Sequence, residues 1–244
     1  MQRTFYFVEP KSKLRELYNI LHIPFTLMCL SFVAAGVLLY KPVDPVILAG
    51  SLIAYFFGLG IGAHALDQTS EIGSRYVTHL TKKELLFLTA VSLAIAIALG
   101  IYATLKYHLT YLPVFIALEG LFAVGYPKGE WFGGKLHNDI SFSISFGFLP
   151  VLCGYYVASH HLSLQSIVLA LIASVASHIE ITISRYVRKI RKELRSGFLT
   201  LGSTKISVDN VEFVYSKFVE RPERALKLVC ILSYLLPFFT FLVR

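Results

Sequence analysis

The sequence predicts an all-α polytopic membrane protein, a single transmembrane helical bundle of about seven spans occupying residues 1–244. Three observations carry that prediction. Apolar residues make up 55% of the chain and charged residues 16%, with a mean hydropathy of +0.64, whereas a soluble domain holds about a quarter charged residues. Seven apolar windows approach the roughly 20 residues that a helix needs to cross a bilayer. When these windows are threaded in alternate directions, all 23 basic residues except Lys41, Lys106 and Arg244 fall on one side, the asymmetry that cytoplasmic loops carry.

The elements follow in order. Residues before position 20 are mixed polar and basic, unlike a cleavable secretory signal. Spans are expected at 20–40, 45–64, 84–105, 109–126, 140–158, 162–187 and 225–243. Connections on one side are short (41–44, 106–108 and 159–161), so sequential helices are antiparallel neighbours. Those on the other side are long and polar (65–83, 127–139 and 188–224). The expected topology has a cytoplasmic N-terminus in a prokaryotic plasma membrane, with any site built by the long loops facing the cytoplasm. The net charge of +8 then reflects orientation and contact with membrane lipids, with no nucleic acid implied. Cys29, Cys153 and Cys230 lie in three different spans and read as small buried hydrophobes.

Beyond the sixth span a basic helix is expected, because Arg185, Arg188, Lys192 and Arg195 recur at helical spacing. Val208, Val211, Tyr215 and Phe218 repeat that spacing in the polar 188–224 segment, which suggests an amphipathic helix lying flat on the membrane. A short strand over 211–215 is the alternative.

Three places hold groups capable of chemistry. In Ala63-His64-Ala65-Leu66-Asp67-Gln68-Thr69-Ser70-Glu71, a continuing helix would set His64, Asp67 and Glu71 on one face at i, i+3 and i+7. Ionisable groups at membrane depth are paired, metal-bound or in a wet cavity, so these three are candidate magnesium ligands, with Arg75 one turn on as an anion contact. Exposed loop charges, with Asp67 capping a helix, would give the same letters. The 126–139 loop adds Tyr126, Lys128, His137 and Asp139 between glycines, with Trp131 suited to an interface. A simple cap at Asn138 or Asp139 is the plainer reading there. The sixth span carries His178 and Glu180 inside its apolar window, above the Arg188 and Lys192 stripe that suits phosphate. Orientation and anionic lipid alone would also produce that stripe. Glu119 is a further intramembrane carboxyl that needs a partner.

Taken in order, these features resemble the UbiA superfamily of intramembrane prenyltransferases, in particular the branch acting on 1,4-dihydroxy-2-naphthoate. The 63–71 stretch occupies the frame of that family's Asn-Asp-x-x-Asp-x-x-x-Asp motif, keeping Asp67 and Glu71 and replacing the leading pair by Ala63-His64. Phe146-Gly147-Phe148-Leu149-Pro150-Val151-Leu152-Cys153-Gly154-Tyr155-Tyr156 is similar to its Phe-Gly-x-x-Pro-Val-x-Gly-x-Tyr helix. Gly197-Phe198-Leu199-Thr200-Leu201 fits its Gly-x-x-Thr-Leu, while the aspartates expected before it read Lys189 and Glu193. The resemblance spans roughly residues 13–201 and leaves the C-terminal part short of the family's nine helices.

The resemblance implies a central lipid-facing cavity and transfer of an isoprenoid group from a polyprenyl diphosphate to a lipophilic acceptor, assisted by Mg2+. It implies Asp67, Glu71 and Asp139 as catalytic groups and His64, Asp67 and Glu71 as metal ligands. Tyr126, Lys128, Arg75, Arg188 and Lys192 would bind substrate. A non-catalytic isoprenoid-lipid binder or scaffold, and a small transporter using His64, Glu119, His178 and Glu180, are the competing expectations.

Overall fold

The computed structural model describes residues 7–70, 77–196, 198–201, 204–207 and 211–244. Helix α1 (Lys13–Ile20) starts at Ser12, whose Oγ accepts from the Arg15 amide. It is mixed in charge and lies outside the apolar stretch. His22, in the left-handed region at φ 41°, turns the chain by 41° into α2 (Ile23–Leu39), where Pro24 suits the first turn.

Asp44 caps α3 (Pro45–Asp67), its Oδ1 accepting from Val46 and Ile47 amides. Phe56–Ala63 winds as a π-helical stretch within α3, where Gly58, Gly60 and Gly62 leave little side-chain packing to resist the wider turn. Helix α4 (Lys82–Lys106) opens on a reciprocal Thr81–Glu84 capping box. Helix α5 (Leu112–Gly125) follows a short turn, and Asn138 caps α6 (Asp139–Ser159) by accepting from the Ser141 amide.

Helix α7 (Leu164–Arg195) starts at Ser163 and runs 32 residues, about 48 Å at 1.5 Å per residue. It overshoots the hydrocarbon layer and carries the basic stripe beyond it, as the spacing predicts. Strands β1 (Phe198–Leu201) and β2 (Thr204–Ser207) then pair antiparallel, Phe198 opposite Ser207. Helix α8 (Val211–Val243) ends the chain.

Among the described residues, five helices (α3, α4, α6, α7 and α8) are long and apolar enough to cross a membrane, or six if the bent α1–α2 pair counts as one span. The fourth expected span is the shorter α5. Its 14 residues reach about 21 Å, against a hydrocarbon core of about 30 Å. Of the flat amphipathic helix expected from Val208, Val211, Tyr215 and Phe218, Val208 lies outside the described residues and the rest is not a separate helix. Residues from Val211 onward belong to the continuous 33-residue α8, in which a π-helical turn at Ser216–Glu220 precedes Pro222 and accommodates its missing N–H. The β1–β2 hairpin before it was not expected from the sequence.

Helix α2 occupies the centre, packed against α6 and α8, with α7 closing against α6 and α8. Backbones touch at glycines. A Cβ on Gly36 would collide with the Val151 carbonyl, and one on Gly154 would lie 2.5 Å from the Val33 carbonyl. On the other face of α6, a Cβ on Gly147 would lie 2.5 Å from the Ala173 carbonyl of α7. Close approach of this kind lets helices pack where water provides no drive between them. Met28, Phe32 and Val151, all fully buried, fill the centre.

Helices α3, α4 and α5 make a looser arc to one side. The short connections and Arg244 gather at one end, where Arg244 Nη1 donates to the Leu38 and Tyr40 carbonyls. The long polar connections form the other end.

Candidate functional site at the polar end of the bundle

At the polar end, α3 stops at Asp67, and residues 68–70 turn away through Thr69 N to Leu66 O and Ser70 N to Asp67 O bonds. The helical continuation that would align His64, Asp67 and Glu71 therefore breaks after Asp67. Glu71 and Arg75 lie outside the described residues. His64 turns its Nδ1 to the Gly60 carbonyl, 3.0 Å away. Its ring lies 4.7 Å from His22 and 5.8 Å from Phe146.

The 126–139 loop is tied to the turn after Asp67. The nearly buried Lys128 donates from Nζ to the Thr69 carbonyl at 2.7 Å and pairs with Glu130 at 3.3 Å. Glu130 in turn accepts from Ser70 Oγ at 3.1 Å. Desolvation alone would raise the Glu130 pKa, but its own amide, Ser70 and Lys128 together lower it. Lys128 is thus engaged in holding two loops together.

Tyr126 stacks on His137 at 4.7 Å and accepts from its Nδ1 through the backbone carbonyl at 2.8 Å. The Tyr126 hydroxyl accepts from Arg185 Nη2 at 3.0 Å. Arg185 Nη1 sits 2.7 Å from Asp139 Oδ1, a close ion pair off the hydrogen-bond axis. Arg185 thereby neutralises Asp139 and orients Tyr126 at once.

Two groups remain uncommitted. The half-buried Asp67 carboxylate has no direct partner among the described residues, and it lies within electrostatic reach of His137, Arg188, Glu130 and Lys128. The exposed Arg188 makes one direct contact among the described residues, Nε to its own helix's Ser184 carbonyl at 3.3 Å. Its charge acts on Asp67, His22, Tyr126 and Glu180. Lys192 follows one turn further, exposed on the same helix. Of the residues singled out in the sequence, Asp67, Tyr126, Lys128, Asp139 and Arg188 gather at this end.

Of the three expected magnesium ligands, His64 and Asp67 are described, and Glu71 lies outside the described residues. Among the described residues no three His, Cys, Asp or Glu side chains are arranged to hold an ion. Asp67 supplies one carboxylate, and His64 turns one ring nitrogen to a carbonyl. Magnesium asks for near-octahedral oxygen donors.

Two groups that position this end escape a sequence reading. His22 reaches the site through its left-handed backbone, its ring tilted against that of His64; a histidine just before Ile23-Pro24 is the local signal. Glu16 is fully buried, and its carboxylate accepts from the Thr78, His79 and Leu80 amides at 2.6–2.9 Å. Burial alone would raise its pKa; those backbone donors and the His79 ring lower it to about 2 from the usual 4.5. Glu16 in this way anchors the connection between α3 and α4.

The apolar helices define an integral membrane protein whose charged groups collect at one end. No protein-family model, curated protein or solved structure matches the chain.

Proposed function

We propose that the polar end binds the anionic head of an amphiphilic substrate and that the chain is a UbiA-like prenyltransferase. In this reading it transfers an isoprenoid group from a polyprenyl diphosphate to a lipophilic acceptor. The observation that carries the reading is the pairing of an uncommitted carboxylate, Asp67, with an uncommitted guanidinium, Arg188, within reach of each other's charge at the edge of an apolar bundle. A bound diphosphate would give the guanidinium the direct partner it lacks, and an acceptor hydroxyl would donate to the carboxylate.

Arg188 and Lys192 hold the diphosphate, the guanidinium offering bidentate contacts to its oxygens. As the C–O bond to the diphosphate breaks, these cations stabilise the leaving negative charge. The acceptor forms the new bond to the isoprenoid carbon and releases its proton to Asp67. Asp139 acts through Arg185, keeping Tyr126 and the loop in place. In this reading the membrane is a prokaryotic plasma membrane and this end faces the cytoplasm, a side that the asymmetry of basic residues supports. A magnesium ion held with help from Glu71 is an added arm of the test and enters no step.

The second reading, a non-catalytic isoprenoid-lipid binder, draws on the same geometry, in which Lys128 and Asp139 are already neutralised. Binding of tritiated geranylgeranyl diphosphate to the purified protein, with and without Mg2+, tests both. The expected result is binding weakened about tenfold by Arg188→Gln, the loss of about one charged hydrogen bond. Asp67→Asn should leave binding intact and abolish transfer to 1,4-dihydroxy-2-naphthoate. Binding without transfer in the native protein favours the binder, and absence of binding ends both readings.

A further inference from the structure

A cavity of about 770 Å³ lies well away from the polar end, between α3, α4 and α5 and against Cys153 and Val157 of α6. It extends from Pro45 and Leu112 near the short connections to Leu59, Leu93 and Ala123 deeper in the bundle. Neither Asp67 nor Lys128 nor Arg188 lines it. The buried cluster of Leu59, Ala63, Ala123, Phe142 and Phe146 lies between it and the polar end.

The lining is almost wholly apolar, and its volume falls within the about 300–1,000 Å³ of small-molecule sites. Its ionisable carboxyl is Glu119. Tyr55 donates to Glu119 Oε1 at 2.7 Å, while Oε2 is buried with no hydrogen-bond partner among the described residues. A buried carboxyl oxygen left unpaired has lost its hydration with nothing in exchange, so the site lacks one polar group. The space is also unfilled. Gly50 and Gly120 line the cavity, and a Cβ added to either would meet nothing within 4 Å.

We propose that this cavity is a binding site for a lipophilic alcohol, whose hydroxyl pairs with Glu119 Oε2 once the carboxyl turns about its soft terminal torsion toward the cavity, and whose hydrocarbon body fills the apolar remainder. A hydroxyl both donates and accepts, so it completes Oε2 whether or not Glu119 carries a proton. A hydrocarbon offers neither, and an ammonium lacks the acceptor. The elongated apolar lining matches a linear body. This site is independent of the polar-end reading, and either can fail alone.

Native mass spectrometry of the detergent-solubilised full chain, titrated with oleyl alcohol and with cis-9-octadecene, the matching hydrocarbon, tests the assignment. The alcohol is expected to bind about tenfold more tightly than the hydrocarbon, the worth of one buried hydrogen bond. Glu119→Leu should remove that preference and keep hydrocarbon binding. Gly120→Leu, which leaves the carboxyl intact and fills the space, should weaken both ligands at least tenfold. Size exclusion verifies that each variant is folded. Equal affinity for alcohol and hydrocarbon in the native protein means that the cavity takes only lipid tails and overturns the assignment. So does failure of both ligands to bind, or a preference that survives Glu119→Leu.

Discussion

The two halves of the bundle are built on different principles. In α6 some 83% of the apolar window is buried and in α7 39%, against 28% in α3 and 17% in α4, while α8, at 22%, packs on α2 and α7 along one face only. The α2–α6–α7–α8 half packs backbone on backbone at Gly36, Gly147 and Gly154. The α3–α4–α5 half leaves Gly50 and Gly120 facing open space and encloses the cavity. Since hydrocarbon does not drive apolar helices together, tight association comes from close fit. Where the fit is relaxed, room remains for a ligand. The dense half is the scaffold, and the loose half is where small molecules enter.

Cavity creation in the dense half should have the largest effect. Phe32 is fully buried at the centre, and Phe32→Ala is expected to cost about 3–5 kcal/mol in unfolding by sodium dodecyl sulfate followed by circular dichroism. Ile97→Ala, on a half-exposed side chain of α4, should cost less than about 0.5 kcal/mol. Equal losses would erase the distinction between the halves.

Filling space sharpens the contrast from the opposite direction. Gly154→Leu drives a side chain into the Val33 carbonyl and is expected to destabilise by about 1–3 kcal/mol, or to prevent assembly. Gly50→Leu adds the same group where nothing opposes it and should be neutral within about 0.5 kcal/mol. A Gly50→Leu variant as unstable as Gly154→Leu would show that the loose half is as tightly packed as the other.

The polar end depends on a third kind of contact, a buried carboxylate surrounded by amides. Glu16→Gln is expected to cost about 2 kcal/mol, as expected for hydrogen bonds to a charged group. Because folding lowers the Glu16 pKa from 4.5 to about 2, its contribution is complete above the unfolded value and disappears as pH falls toward the folded one. The native protein should therefore lose stability between about pH 4.5 and 2 along a slope that Glu16→Gln flattens. Parallel pH profiles would remove Glu16 from that role.

How much of this was legible in the sequence follows from the range of each interaction. Hydropathy is a property of single segments, so helical apolar stretches emerge at or near every expected window, and the basic extension of α7 lies where its spacing put it. The cap at Asn138 is equally local. The shortness of α5, by contrast, is set by where Tyr111 and Tyr126 end the helix, which apolar residues on either side conceal. Continuity of α8 depends on a widened turn ahead of Pro222, and a proline in sequence reads as a break. Lys128 and Asp139 were expected to meet substrate, yet each is held by a neighbour from another loop or helix, Thr69 with Glu130 for one and Arg185 for the other. Sequence gives the identity of such charges; their partners are fixed only once distant segments meet. Asp67 and Arg188 stand out because that accounting leaves them over.

The smallest effect is expected where the loose half begins. Asp44 caps α3 through the Val46 and Ile47 amides, two donors that otherwise have no helical partner. Asp44→Ala should cost about 1 kcal/mol, read from the same unfolding titration, because water at the short-connection end can replace part of what the carboxylate supplied. The change also tests how firmly the cavity depends on the helix that borders it. Pro45, Val46 and Ile47 line the cavity as well as the capped turn, so fraying there opens its rim. Oleyl alcohol binding should weaken in Asp44→Ala by no more than the stability lost, since Glu119 and Tyr55 sit several turns deeper. A larger loss in binding than in stability would mean that the cap shapes the cavity directly and that the loose half is ordered from its end inward.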